Sequence, residues 1–184
     1  MSKQWRIAAW SIAGALMLVP LAAMRLTDEV RWTVADFAVF AAMLAAAIGG
    51  FELFARTGSG AAYRAGTAFA IGGAVLLFWV NGAVGIIGSE DDPANLMFAG
   101  VLATGVAGAT LARLRAAGMA RAMAATAVAQ IAVGAIALGG GMGAGDRSWP
   151  GDVIGATGVF AALWLAAAWL FAHAARPGTG AAGA

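Results

Sequence analysis

The residues whose types and spacing come closest to chemistry are three consecutive carboxylates, Glu90, Asp91 and Asp92, inside the segment Gly85 to Met97. Adjacent carboxylates repel one another. A hard cation taking oxygen ligands would relieve that repulsion, with Asp28 and Glu29 as further contacts. The segment lacks the spaced acidic pattern of a calcium loop, and acids at a helix start offset the helix dipole without any metal. Arg25 or Arg31 would serve as an ion-pair partner instead. Asp92 stands directly before Pro93, the order of an N-cap followed by a proline at the first helical position, where the missing N–H costs nothing. The expectation is therefore an ordered cap built by Glu90, Asp91 and Asp92, with Asn95 bonding back toward the turn. The competing reading is a cation contact through Asp28, Glu29, Glu90, Asp91 and Asp92.

Other chemistry is sparse. Asn81 and Gln130 are amides within apolar stretches, where a polar group is expensive unless it finds a partner. They are expected to face a helix-bundle interior, either bonding a neighbouring helix or lining a pathway or pocket. Glu52 has Arg56 four residues on, the favourable orientation for an ion pair on one helix face, and this is preferred over a role in proton transfer. His173, near the end of the last apolar stretch, reads as an interface residue rather than a proton shuttle. The chain has no cysteine and one histidine, which excludes disulfides, thiolate metal sites and a multi-histidine metal site. With no nucleophile–base pair and no phosphate loop, no catalytic residue and no cofactor is expected.

The elements that must position these residues follow from composition. Of 184 residues, 62% are hydrophobic and 11% charged, and the mean hydropathy is +0.84. A soluble domain carries about 25% charged residues, so a water-soluble globule is excluded. Gaps between charges define six apolar stretches at about 7–24, 33–54, 65–87, 93–111, 122–139 and 153–172. Each is long enough to span a bilayer, and without strand-like alternation the only backbone that satisfies itself in hydrocarbon is a helix. The predicted fold is all-α: a single transmembrane domain, a bundle of six helices. A signal-peptide reading of the first stretch, with Lys3 and Arg6 ahead and Pro20-Leu21-Ala22-Ala23 at its end, is less favoured because the stretch is too long. Eight basic residues (Lys3, Arg6, Arg56, Arg64, Arg113, Arg115, Arg121, Arg176) fall on the side of the termini and three (Arg25, Arg31, Arg147) on the other. The positive-inside rule then places both termini in the cytoplasm.

Local signals refine the boundaries. Thr33-Val34-Ala35-Asp36 has capping-box spacing at the start of the second helix. The glycine-rich run 139–150 reads as a flexible loop, and the tail 177–184 as disordered. Gly100, Thr104 and Gly108, and likewise Gly82 and Gly85, read as small-residue stripes that let helices approach closely. Trp5, Trp32 and Trp149 read as interface anchors; Trp164 and Trp169 lie deeper and read as lipid-facing or core packing in preference to the lining of a pocket for an apolar ligand.

Thr27-Asp28-Glu29-Val30, Trp79-Val80-Asn81 and Gly85-Ile86-Ile87-Gly88-Ser89-Glu90-Asp91-Asp92-Pro93-Ala94-Asn95-Leu96 resemble a group of uncharacterised small bacterial inner-membrane proteins. The resemblance is close in the last segment and loose over most of the spans. It implies the bacterial inner membrane, multi-pass, and no activity or cofactor. The sequence thus favours a structural or accessory protein embedded in the lipid bilayer and packing with a larger membrane partner or as a homo-oligomer. The alternative is a small oligomeric transporter or channel whose acidic mouth favours cations. The near-balanced charge leaves no footprint for nucleic acid.

Overall fold

The computed structural model describes residues 3–27, 30–58 and 60–176. Six helices carry the chain: α1 (Lys3–Leu26), α2 (Val34–Thr57), α3 (Ala61–Ala83), α4 (Met97–Leu111, preceded by a 3₁₀ turn at Pro93–Leu96), α5 (Ala116–Gly139) and α6 (Gly151–Ala174). With the 3₁₀ turn counted into α4, all six are long and apolar enough to cross a membrane, and the protein is a multi-pass all-α membrane protein. The predicted tail at 177–184 lies outside the described residues.

The chain divides into two units, residues 1–55 and 56–184. In the first, the expected capping box opens α2. Thr33 N–H donates to Asp36 Oδ2 at 2.6 Å, and the Asp36 N–H donates back to Thr33 Oγ1 at 3.3 Å. Trp32, just ahead, meets Phe37 and Phe40 edge-on at centroid distances of 5.1 and 5.4 Å, which fixes how the chain enters the helix.

In the second unit the order across the layer is α3, α6, α5, α4, each helix packed on the next. The reason lies in one face of α5. Met119, Ala122, Met123, Thr126, Ala127, Gln130, Val133, Gly134 and Ala137 recur at helical spacing and are all buried. Glycines on one helix receive bulk from another. The Trp164 ring of α6 sits on Gly73 of α3, where an added Cβ would lie 3.1 Å from it, and Phe171 sits on Gly66 in the same way at 3.2 Å. Phe171 also meets Tyr63 edge-on at 5.2 Å. The Tyr63 hydroxyl donates to the Leu114 carbonyl at 2.7 Å, tying α3 to the α4–α5 turn. In that turn Arg113 and Leu114 both adopt the left-handed region, with φ of 48° and 58°.

Three expectations are corrected. Hydropathy carries the third helix to Ile87, but it ends at Ala83. Gly85 turns the chain at φ 76°, and the amides of Ile86 and Ile87, which a continuing helix would bond to its own preceding turn, donate to a side chain instead. Gly85 is thus a turn residue and forms no helix stripe with Gly82. In α4 the packing face is Phe98, Val101, Gly105 and Gly108. Gly100 meets nothing within 4 Å, because four-residue spacing drifts off a straight helical face. Lastly, residues 139–150 form successive hydrogen-bonded turns rather than a loose loop. Met142 N–H donates to Ala137 O at 2.9 Å and Asp146 N–H to Gly143 O at 2.9 Å.

Candidate functional site

The best-built polar structure in the molecule is the α3–α4 connection, and Asn95 organises it. Its side chain accepts from the Ile86 and Ile87 amides, both at 3.0 Å, and donates to the Ile87 carbonyl at 3.1 Å and the Ser89 carbonyl at 2.8 Å. A carboxamide has both donors and acceptors in one plane, so a single buried side chain satisfies two amides and two carbonyls of the connection at once. Ile86 and Ile87 are thereby turned inward and are 2% and 0% exposed. Two glycines make the path possible. At Gly85 a Cβ would lie 2.6 Å from the Ser89 carbonyl, and at Gly143 one would lie 2.7 Å from the Gly88 amide nitrogen. The second contact docks the α5–α6 connection on this one.

Asp92 caps the 3₁₀ turn as its spacing predicts, accepting from the Ala94 amide at 2.9 Å with Pro93 at the first position. Glu90 and Asp91 are exposed beside it. Among the described residues no three Asp, Glu or His side chains are placed to share a metal ion. Asp28 and Glu29 lie outside the described residues. Replacing Asp92 by alanine is expected to lower stability by about 1 kcal/mol, the usual worth of an N-cap, while Glu90→Ala leaves it unchanged within error. Thermal unfolding in mild detergent measures both. A rise of several degrees in Tm on adding calcium or magnesium, abolished by Asp91→Ala, would overturn the cap assignment.

The two amides separate. Asn81 lies in the last turn of α3, half-buried, and its Nδ2 donates to the Asn95 carbonyl at 3.2 Å, so it belongs to the cap. Gln130 is fully buried on α5, and neither its Nε2 nor its Oε1 has a hydrogen-bond partner. Sequence reasoning picked both out but assigned them one role. It missed Thr157, and for Trp164 it preferred packing over the lining of a pocket for an apolar ligand. Both carry buried polar atoms without a partner, Thr157 Oγ1 and Trp164 Nε1.

Glu52 accepts from Arg6 Nε of α1 at 3.1 Å, a partner that local spacing does not reveal. The Arg6 side chain is 56% exposed, so the pair is worth little in stability; its effect is to link the cationic end of α1 to α2. His173 stacks on Trp169 at 5.9 Å. A shallow groove lined by Lys3, Arg6, Ile7, Trp10 and Ser11 runs along α1 alone.

No family model matches the chain, and no curated protein or solved structure is significantly similar to it.

Proposed function

We propose that this protein is a non-catalytic accessory protein of the bacterial inner membrane, with both termini in the cytoplasm, that packs laterally against another membrane protein. The observation that carries this reading is α2. None of its residues is buried, and its exposed positions include Ala35, Ala38, Ala42, Ala45, Ala46 and Gly49, a continuous small-residue stripe at helical spacing. Helices associate in membranes through such faces because small side chains let two backbones approach closely. α1 exposes Ala8, Gly14, Ala15 and Ala22 too, but among more bulky side chains, Ile7, Trp10, Ile12, Leu16, Leu18, Val19 and Leu21, the kind that suits acyl chains. The basic-residue bias supports the orientation, and the reading of no catalysis draws on the sparse reactive groups among the described residues.

The chain has no cysteine, so single cysteines report cleanly. Ala42→Cys and Ala46→Cys are expected to cross-link in native membranes to a second protein, and Leu18→Cys to none. Ala46→Leu is expected to abolish recovery of that protein in mild detergent while leaving helix content intact. Equal behaviour of the three cysteines would overturn the reading, and cross-linking only to a second copy would replace the larger partner by a homo-oligomer.

A small oligomeric transporter or channel with a cation-favouring mouth is the second reading. It draws on the exposed Glu90 and Asp91 at one end of the α3–α6 unit and on the buried amide of Gln130. It is weaker because Ile86, Ile87 and Asn95 fill that same end with buried side chains.

A further inference from the structure

The interior of the α3–α6 unit treats its polar groups in two ways. Thr67 and Thr126 are satisfied within their own helices, donating to the Tyr63 carbonyl at 3.0 Å and the Ala122 carbonyl at 2.9 Å. Gln130 Nε2 and Oε1, Thr157 Oγ1 and Trp164 Nε1 are equally enclosed and bond to no protein atom. Helix register brings the residues that carry these four atoms to one level of the α5–α6 pair. α5 and α6 are consecutive packed helices joined by a short connection, and Gly134 of α5 lies directly against Thr157 of α6. Gln130 is one turn back from Gly134 on the same buried face, and Trp164 is two turns on from Thr157 on the facing one. An antiparallel pair therefore sets Gln130 level with about Ala161, between Thr157 and Trp164, within about 11 Å of helix length. Trp164 lays the outer edge of its six-membered ring, Cε3, Cζ3 and Cη2, on Gly73 of α3, so its N–H edge is turned away from α3.

We propose that Gln130, Thr157 and Trp164 form an internal hydration site, holding ordered water between α5 and α6 midway through the α3–α6 unit. The donor and acceptor inventory matches water. Trp164 only donates, Gln130 Oε1 only accepts, and Gln130 Nε2 and the Thr157 hydroxyl complete the two to four bonds a buried water makes. The occupant is neutral, because among the described residues the buried polar ones are Thr67, Asn95, Thr126 and Gln130, and none carries a charge. It is small, because the surrounding positions on the two helices are Ala127, Gly134, Ala137, Ala161 and Ala167 at close helix approach. Water there links two helices that otherwise meet through apolar contact. The site does not depend on the accessory-protein reading.

Water cross-relaxation in the ¹⁵N-labelled full chain, in detergent micelles, tests the site. The Gln130 Nε2 protons and the Trp164 Nε1 proton are both expected to show cross-peaks to water. Gln130→Leu should remove the Trp164 peak, and Trp164→Phe, which keeps a ring over Gly73, should weaken the Gln130 peak. Helix content by circular dichroism monitors the fold of both variants, and if either unfolds, the wild-type peaks decide alone. Gln130 protons that show no water peak and persist for days in D₂O would overturn the proposal, since they would be bonded to protein.

Discussion

Asn95→Ala is expected to destabilise the α3–α6 unit by about 3–5 kcal/mol, at the upper end of what one substitution does. Four hydrogen bonds end on this side chain, and it is 4% exposed. Their removal leaves the Ile86 and Ile87 amides and the Ile87 carbonyl enclosed without partners, and each such group costs about 1–3 kcal/mol. Asn95→Asp should not rescue. It keeps an acceptor for the two amides but loses both donors and sets a carboxylate oxygen against the Ile87 and Ser89 carbonyls. Leu96→Ala, at a residue 74% exposed, should change stability by less than about 0.5 kcal/mol. Denaturant titration in mixed micelles, read by circular dichroism, separates the three. An Asn95→Ala protein as stable as the Leu96→Ala control would show that the connection is held by its glycines and buried isoleucines alone.

Gly134→Val is expected to disrupt the α5–α6 contact outright, and Gly134→Ala to cost about 1–3 kcal/mol, the range for overpacking a tight core. A Cβ at Gly134 would overlap Thr157 Oγ1 and lie 2.8 Å from its Cγ2 and 3.0 Å from its Cβ. Rotating Thr157 cannot clear all three atoms, because the Cβ position is set by the α6 backbone. Thr157→Ala removes the two nearest atoms and should recover part of the Gly134→Ala loss, giving a coupling of about 0.5–3 kcal/mol in a double-mutant cycle. Additive losses would mean that the two helices are farther apart in the membrane than this packing requires. Gly155→Ala is a fitting control, since a Cβ there meets nothing within 4 Å.

Much of this architecture was written in the chain one segment at a time. Length and hydropathy determine that six helices form and that they belong in a bilayer, because a segment of about 20 apolar residues has one way to satisfy its backbone there. Thr33 with Asp36, and Asp92 with Pro93, mark helix starts because a cap is made between residues two or three apart. What lies farther apart was decided only by packing. Asn95 ends α3 early by reaching Ile86 and Ile87, nine and eight residues away. Glu52 meets Arg6 across 46 residues. Gln130 and Asn81 are the same chemical group in equally apolar stretches, yet the Asn81 Nδ2 finds a carbonyl and only its Oδ1 lacks a partner, whereas both polar atoms of Gln130 are enclosed without one. Helical periodicity says which residues share a face but not which face of which neighbour they meet. That choice rests on the fit of Trp164 over Gly73, Phe171 over Gly66 and Thr157 against Gly134, where steric complementarity between distant segments selects the partner.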